Sequence, residues 1–498
     1  MREYCPICNN EVNYSDKECP LCGFTDLHKI FESKAQMDKW FEDVVSPYRE
    51  KWKQDKHLSK KQNKDIGINL HDHCCPVCGV VLENMSRICN NCKFDKSQLG
   101  IITNKNIEQC YKDVKQYKNL WNATDTPDKY FSISQDNILL YIRDMIENVV
   151  FPRRIVGIQN GAISEYKYKN HLENIKIGDG IKGIGCSTFK NCECLETVIL
   201  PKGVEYIKDE AFANCKSLKF ITLPDDVEYI GSCAFKDCIS LKSIVIPPKC
   251  KIISDSAFEG CISLENIIIS GNNVSIGKDA FKDTGYYNTP QNWENNLLYI
   301  NNYLVAANEN IIYAIINNGT KYIANNCFTN CNKLRKAYIP DTVVILGKAT
   351  FANSSIEIVE IDAKLNIIPR CCFKNCSRLI EIHIPDNVTK IEEMAFKGCE
   401  LLINVSIPSK VEVLEAYAFE GCRLLKQILL PESLGELGKS AFGGCTFLRE
   451  LYVVNDDVYI DSALPSYYGS YENLIIKCNS GSNAHKYAVS KNIKFDLL

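Results

Sequence analysis

The chain has few histidines, no long apolar run and little net charge: 7 histidines and a formal charge of −3 in 498 residues. No stretch approaches the roughly 20 apolar residues that span a bilayer. The opening MREYCPICNN lacks the apolar segment and cleavage site of a secretory signal. We therefore expect no membrane partner and a cytoplasmic chain whose thiols stay reduced. The small net charge argues against a general attraction to nucleic acid.

Catalytic motifs are also missing from the sequence. None of the histidines lies in a nucleophile or metal motif. The segment Gly438-Lys439-Ser440 resembles the end of a phosphate-binding loop, but Ser433 stands where that loop needs a glycine. We therefore expect a chain that is not an enzyme.

A repeat fills most of the chain. Phenylalanine recurs every 23 residues at positions 189, 212, 235, 258 and 281, and again at 328, 351, 373, 396, 419 and 442 with one step of 22. The unit reads L-x-x-I-x-I-P-x-x-V-x-x-I-x-x-x-A-F-x-x-C. Apolar residues two apart share one face of a strand, and proline ends that strand because it has no N–H to donate. We expect the A-F segment to form a short helical turn.

One such unit cannot bury its apolar side chains alone, whereas stacked units bury a continuous core. The repeat therefore predicts a mainly β solenoid, with parallel strands joined by short helical turns. The pattern resembles the BspA-type leucine-rich repeats over about residues 172–498. That resemblance implies a binding scaffold, and for exported members of the family a role as a cell-surface adhesin.

Cysteine occupies one phase of the repeat, three residues after the phenylalanine. Thr284 and Ser354 fill the two exceptions. Small, weakly polar side chains in this phase suggest a buried column that caps backbone groups at each turn. Disulfides between coils are the alternative, because a strand spacing of about 4.8 Å lies inside the range that a disulfide spans. A reducing compartment favours free thiols. The column comprises Cys192, Cys215, Cys238, Cys261, Cys331, Cys376, Cys399, Cys422 and Cys445.

Two further cysteine arrays precede the repeat, each with the spacing C-x2-C-x10-C-x2-C. Four thiolates on two tight turns converge tetrahedrally on Zn²⁺, and a site with four cysteines is closed and structural. Metal binding then supplies folding free energy to a segment with little core. We expect two zinc ribbons with one structural zinc ion each; an iron site of rubredoxin type is the alternative. The ligands would be Cys5, Cys8, Cys19 and Cys22, and Cys75, Cys78, Cys89 and Cys92.

The sequence predicts six segments in order. They are a first zinc ribbon (1–27), a helical and basic linker (28–70), a second zinc ribbon (71–98), a helical linker and N-terminal cap (99–145), the solenoid (146–470) with a hairpin insert near 285–308, and a C-terminal cap (471–498).

Three elements within these segments can be placed from local pattern. Apolar spacing from Ile107 to Trp121 predicts a helix. Residues 136–171 are expected to form another helix that leads into a degenerate first coil. Two apolar runs flank Asn301-Asn302, which predicts a tight β-hairpin because asparagine accepts positive φ.

A binding surface is expected on the strands. The residue between the last two apolar positions of each strand faces away from the core. Many residues in this outward column are aliphatic or aromatic, and contiguous exposed apolar area marks interaction sites. The column comprises Lys176, Ile199, Thr222, Val245, Ile268, Ile315, Tyr338, Glu360, His383, Ser406, Leu429 and Tyr452. The candidate partner-binding residues are Ile199, Val245, Ile268, Tyr338, Leu429 and Tyr452.

These features predict a non-catalytic scaffold that binds a protein partner on the solenoid and docks through its zinc-ribbon head. The alternative is a nucleic-acid-associated factor that uses the ribbons and the basic linker. An adhesin is the other alternative, and the lack of a secretory signal argues against it.

Overall fold

The computed structural model describes residues 3–4, 11–12, 107–165, 167–464 and 473–498. The chain divides into two units, residues 1–122 and 123–498. In the first, strands β1 (Glu3–Tyr4) and β2 (Glu11–Val12) pair antiparallel, and helix α1 spans Ile107–Asn122. Helix α1 confirms the helix predicted there. The eight ribbon cysteines lie outside the described residues. The predicted helical and basic linker (28–70) and the predicted second zinc ribbon (71–98) also lie outside them.

The second unit opens with an antiparallel pair, β3 (Phe131–Ile133) and β4 (Ile138–Ile142), after a 3₁₀ turn at Asp128–Tyr130. The helix predicted over 136–171 is therefore wrong. Asn137 adopts a left-handed φ of 60°, and Ser134 Oγ accepts a hydrogen bond from Ile138 N at 3.1 Å. These contacts turn the chain back, so that β4 pairs antiparallel with β3, and β4 also pairs in parallel with β6 (Gly157–Ile158). A second 3₁₀ turn covers Lys169–His171.

Each coil contributes one strand to a stacked parallel array, here called the major sheet. Inward residues of these strands are buried, as in β22, where Ala337 and Ile339 face the core and the alternate residues are only half-buried. Its strands are β5 (Asn148–Val150), β7 (Asn174–Lys176), β9 (Thr197–Ile199), β11 (Phe220–Ile221), β13 (Ser243–Ile246), β15 (Asn266–Ile269), β20 (Tyr313–Ile315), β22 (Lys336–Ile339), β23 (Ile358–Ile361), β25 (Glu381–His383), β27 (Asn404–Ser406), β29 (Gln427–Leu430), β31 (Glu450–Val453), β32 (Ile475–Cys478) and β33 (Lys494–Leu497).

The V-x-x-I segment of the repeat contributes two-residue strands to a second parallel array, the minor sheet. Its strands are β8 (Gly183–Ile184), β10 (Tyr206–Ile207), β12 (Tyr229–Ile230), β14 (Ile252–Ile253), β16 (Ser275–Ile276), β21 (Tyr322–Ile323), β24 (Ile367–Ile368), β26 (Lys390–Ile391), β28 (Val413–Leu414) and β30 (Glu436–Leu437).

The register between coils follows the repeat. Asn174 lies opposite Thr197, 23 residues on, whereas Lys336 lies opposite Ile358, 22 residues on. The missing residue falls in the turn that enters β23: Ser354 precedes the buried Ile356 by two residues, where other coils have C-x-x-L. The deletion therefore shortens a turn and leaves strand pairing intact.

The A-F segments form turns, and the described residues show no helix there, so the expected helical character is wrong. Every second N–H group of these turns donates to the next coil: Phe235 N bonds Ala257 O at 2.7 Å and Asp237 N bonds Glu259 O at 2.8 Å. Amides engaged between coils are not available for bonds along the chain. Inside the turns, the phenylalanine rings stack with centroids 4.9–6.0 Å apart.

The cysteine column lies beneath these rings and consists of free thiols. Seven of the nine thiols donate to the carbonyl of the phenylalanine one coil back, as Cys215 Sγ does to Phe189 O at 3.1 Å and Cys399 Sγ to Phe373 O at 3.1 Å. That carbonyl also accepts the backbone N–H of the cysteine in its own coil, such as Cys192 N to Phe189 O at 3.1 Å. The prediction of a buried column that caps backbone groups is confirmed.

The predicted hairpin is confirmed as β18 (Leu297–Ile300) and β19 (Tyr303–Ala307), preceded by α2 (Gly285–Asn288), a 3₁₀ turn at Pro290–Asn292 and β17 (Trp293–Glu294). It divides the hydrophobic core into two clusters: Leu297 and Leu304 pack with the C-terminal coils, Ile300 and Tyr303 with the N-terminal ones.

The C-terminal cap consists of β32, a helix and β33. After β32, helix α3 (Asn483–Lys491) begins at Ser482, whose Oγ accepts from His485 N at 3.1 Å, and ends at Asn492 with a left-handed φ of 54°. Strand β33 then pairs in parallel with β32. A search of the described residues found no helix with the length and apolar character needed to cross a bilayer.

The stacked thiols predict a loss of stability in alkaline solution. Burial raises the pKa of Cys192 to about 12 and that of Cys238 well above its ordinary value of 9.0. The folded chain therefore keeps protons that the unfolded chain releases above about pH 9, so the free energy of unfolding falls as pH rises. We expect each thiol with such a raised pKa to lower the free energy of unfolding by about 0.5–1 kcal/mol at about pH 9.5 relative to about pH 8.

Urea unfolding at the two pH values measures this loss. A variant with Cys215→Ala, Cys238→Ala and Cys422→Ala is less stable at both pH values but should lose less between them, because three titrating thiols are gone. An equal loss in the variant and the parent chain would show that the column does not cause the effect.

Candidate functional site

The outward column lies on the major sheet, but its residues differ in exposure. Ile199 is only 4% exposed, and its neighbours on the same face, Thr197, Phe220 and Thr222, are 0%, 2% and 8% exposed. The prediction of an exposed side chain at Ile199 is therefore wrong. Strand alternation determines the face to which a side chain points, but it does not determine whether that face is exposed to solvent. The burial of these four outward residues could therefore not be predicted from the sequence.

The other candidate residues are accessible to different degrees. Val245, Ile268, Tyr338 and Tyr452 are half-buried, and Leu429 is 54% exposed. Accessibility therefore rises toward the C-terminal half of the column.

The largest concentration of exposed apolar side chains lies on β20, β22 and β23. Tyr313 and Ile315 on β20 are 65% and 64% exposed, and Ile358 on β23 is 39% exposed. We call the set Ile312, Tyr313, Ile315, Tyr338 and Ile358 the apolar patch. Parallel pairing places Ile315 beside Tyr338, whereas Lys336 lies between Tyr313 and Ile358. Neighbouring strands lie about 4.8 Å apart, so Ile315 and Tyr338 are adjacent, and Ile358 lies diagonally across from Tyr338.

Sequence reasoning missed most of this patch because it considered only one outward position in each strand. Tyr313 and Ile358 occupy the other outward position, two residues earlier, at the start of the strand. Considering both outward positions together would have found the cluster, because the contrast between strands is visible in the sequence. The strands β25 and β27 carry only polar residues at these two positions, namely Glu381, His383, Asn404 and Ser406.

Paired charges border the patch. Lys336 Nζ lies 2.6 Å from Glu360 Oε1, and Arg335 pairs with Glu357. The Tyr338 hydroxyl donates to Asp362 Oδ2 at 2.8 Å, and this hydrogen bond raises the pKa of Tyr338. Such exposed ion pairs add little stability. They neutralise one another, so the rim offers hydrogen bonds without a strong field of either sign.

Tyr452, at the C-terminal end of the column, is tied into a polar network. Its hydroxyl accepts from Lys477 Nζ at 3.0 Å and donates to Glu450 Oε2 at 2.9 Å. Lys477 also lies over the Tyr452 ring, 4.8 Å from the centroid, and pairs with Glu450 at 3.0 Å. The Tyr452 hydroxyl and the Glu450 carboxylate raise the pKa of Lys477. Tyr452 is therefore held in place by its own sheet.

The side chains on the outward face of the major sheet are suited to noncovalent contacts. Within the described ranges, no group of histidine, cysteine, aspartate and glutamate could hold a metal ion. His383 lies exposed on β25, among the polar residues of the column.

The model of the BspA type leucine-rich repeat region matches this chain in six copies, over residues 60–193, 161–288, 288–380 and 366–492. The chain belongs to the BspA-type leucine-rich-repeat family. The match starts well before residue 172, where the resemblance in the sequence begins. No curated protein matches this BspA-type chain.

Several solved structures are similar to it. A leucine rich cell surface protein from Faecalibacterium prausnitzii A2-165 is 25% identical over 62% of this chain and 94% of its own, with a TM-score of 0.32. A leucine-rich repeat protein from Bacteroides ovatus ATCC 8483 is 24% identical over 71% and 97%, with a TM-score of 0.31. The T. pallidum leucine rich repeat protein is 26% identical over 34% and 92%, with a TM-score of 0.27.

BspA-type chains share a fold that is typically a non-enzymatic scaffold, and leucine-rich-repeat proteins generally bind protein ligands. An exposed apolar area on the strands of such a solenoid fits that general role.

The face assignment predicts opposite outcomes at Ile315, the last residue of β20, and at the next residue, Ile316. Ile315 points outward and is 64% exposed, whereas Ile316 is 1% exposed. We expect Ile315→Asp to change the free energy of unfolding by less than about 0.5 kcal/mol. Ile316→Asp buries an unpaired charge and should cost at least about 3 kcal/mol. Urea unfolding of the two variants measures both; equal losses would contradict the assignment.

Proposed function

We propose that this chain is a non-catalytic scaffold that captures a protein partner on the apolar patch. The observation that carries the proposal is the contiguity of the patch, with two side chains more than 60% exposed on one strand. Soluble proteins rarely leave such side chains together without a partner.

Strand preference alone does not account for the patch. β-Branched and aromatic residues favour strands anywhere in a sheet. Yet the same outward columns on β25 and β27, two and three strands beyond β22, hold only polar residues. Polar strands therefore separate the apolar patch from the next exposed apolar residue of the column, Leu429 on β29, which is 54% exposed.

The borders of the patch indicate what kind of partner it accepts. The patch offers aromatic and aliphatic area, and its rim offers the Tyr338–Asp362 and Lys336–Glu360 pairs. Protein interfaces combine an apolar, aromatic centre with a polar rim in this way. We infer a protein partner that presents apolar side chains to β20 and exchanges hydrogen bonds with the rim.

Site-directed photocrosslinking tests the proposal. A photoreactive phenylalanine analogue at position 315 should capture a defined protein in cells. The same analogue at position 252, which is 43% exposed on the minor sheet, is the matched control and should not capture it. Capture of the same proteins from both positions would reject the patch as the binding site.

A charge substitution gives the second arm. Tyr313→Asp with Ile315→Asp should abolish capture, because partner contact would then bury two charges. Asn404→Asp with Ser406→Asp places the same charges in the same columns on β27 and should leave capture unchanged. Both variants are expected to keep the parent chain's circular dichroism spectrum. Loss of capture in both would assign binding to the whole face and sink the proposal.

We further propose that the N-terminal head holds two structural zinc ions, one in Cys5, Cys8, Cys19 and Cys22 and one in Cys75, Cys78, Cys89 and Cys92. The repeated array spacing supports this. The antiparallel pairing of β1 with β2 also supports it, because the segment between these strands contains Cys5 and Cys8. Reduced zinc-bound thiolates fit the cytoplasmic location that we propose for the chain.

Metal analysis of the purified chain should find about two zinc ions per molecule. Cys5→Ser with Cys8→Ser should remove about one, and Cys75→Ser with Cys78→Ser about one more. Cys186→Ser with Cys194→Ser, in the solenoid, is the control and should keep both. Iron instead of zinc, or a chain without metal, would overturn this assignment.

A further inference from the structure

Strand β33 closes the C-terminal end of the major sheet and has a partner on one side only. It pairs with β32, and the sheet order ends there in the part of the chain that is described. All four of its residues are exposed, and Phe495, Leu497 and the adjacent Leu498 are 38%, 55% and 58% exposed. An uncovered edge strand with apolar side chains is a template for pairing with another chain.

The direction of its backbone groups can be assigned. Leu498 N donates to Cys478 O at 3.1 Å, so the amide of Leu498 faces β32. Successive amides of a strand point to opposite edges. The N–H and C=O groups of Phe495 and Leu497, and the C=O of Ile493, therefore face the open edge.

Its side chains divide by face. Phe495 and Leu497 are in register with the buried Ile476 and Cys478 of β32, and Phe495 packs edge-on against His485 at 4.7 Å. Lys494 and Asp496 lie on the other face, where Asp496 is in register with Lys477. Neither Lys494 nor Asp496 has an ion pair with another described residue.

We propose that two copies of this chain associate through β33, antiparallel, about a two-fold axis at Phe495. Phe495 N–H of each copy then donates to Phe495 O of the other, and Leu497 N–H donates to Ile493 O. Four hydrogen bonds form between groups that already face the edge.

The same register satisfies the side chains. On one face Phe495 meets Phe495 of the second copy and Ile493 meets Leu497. On the other face Lys494 lies opposite Asp496 of the second copy, and this pair occurs twice. Opposite charges directly across strands stabilise pairing and like charges oppose it. Shifting the axis by one residue, to Lys494 or Asp496, places like charges opposite each other and turns the bonded amides inward.

The pairing of two four-residue strands buries little area, so the dimer should be weak and dependent on concentration. This association uses the end of the solenoid and leaves the apolar patch on β20 to β23 free. It therefore stands or falls independently of the function proposed above.

Sedimentation equilibrium of the full chain, from micromolar to sub-millimolar concentration, tests the proposal. We expect a monomer–dimer equilibrium for the parent chain. Lys494→Asp or Asp496→Lys alone should raise the dissociation constant about tenfold or more, because each creates two like-charge pairs across the axis. The double variant Lys494→Asp/Asp496→Lys restores both pairs and should return it to within about threefold of the parent value.

Lys491→Asp, at the exposed end of α3 and off the strand, makes the same charge change and should leave association unaltered. Circular dichroism of each variant checks that the cap remains folded. The proposal is overturned by a chain that stays monomeric throughout, by a dimer that the single variants do not weaken, or by a double variant that fails to recover.

Discussion

The structure depends on hydrogen bonds between coils, because no coil satisfies its own backbone. Alternate amides of each turn find their acceptors in the next coil, and the carbonyls of seven repeat phenylalanines accept a thiol from that coil as well as an amide from their own. The phenylalanine ring is buried between the rings on either side. The side chains that recur at the three positions of A-F-x-x-C therefore contact the neighbouring coils, and each coil constrains which residues the next can carry there.

This dependence explains why the cysteines are there. A thiol is small enough to sit beneath the aromatic rings and can still donate one hydrogen bond. Thr284 Oγ1 makes the equivalent bond within its own coil, to Phe281 O at 2.8 Å, at the point where the hairpin replaces the next coil. The substitution of threonine thus coincides with the loss of the neighbouring turn. A hydroxyl there serves the local carbonyl instead.

The repeat made most of the fold predictable, because a 23-residue period places equivalent residues of successive coils in contact again and again. The hairpin was predictable for a local reason, the asparagine pair at Asn301-Asn302. The N-terminal cap was not, because residues 138–142 form a short, wholly apolar run that suits a helix or a strand, and its strand state depends on pairing with β3 and β6. The prediction of a helical turn at the A-F segment was wrong because alternate amides of that segment donate to the next coil.

The binding face shows the same division. Alternation along a strand told which residues point outward, and it correctly placed Ile315 and Tyr338. It could not tell that Ile199 is buried, because exposure depends on what lies over the sheet. It also could not rank the outward residues, since contiguity is a property of several strands together. The zinc sites are proposed from the cysteine spacing and the pairing of β1 with β2, and they remain a prediction.

The hairpin has a consequence for how the molecule melts. In a repeat array, cooperativity passes from one unit to the next through the shared interface. Between Phe281 and Phe328 the ring stack is interrupted, and β18 and β19 divide the interior into separate clusters. The array then behaves as two blocks in series, each able to lose its order while the other persists. A single transition temperature would not describe such a chain.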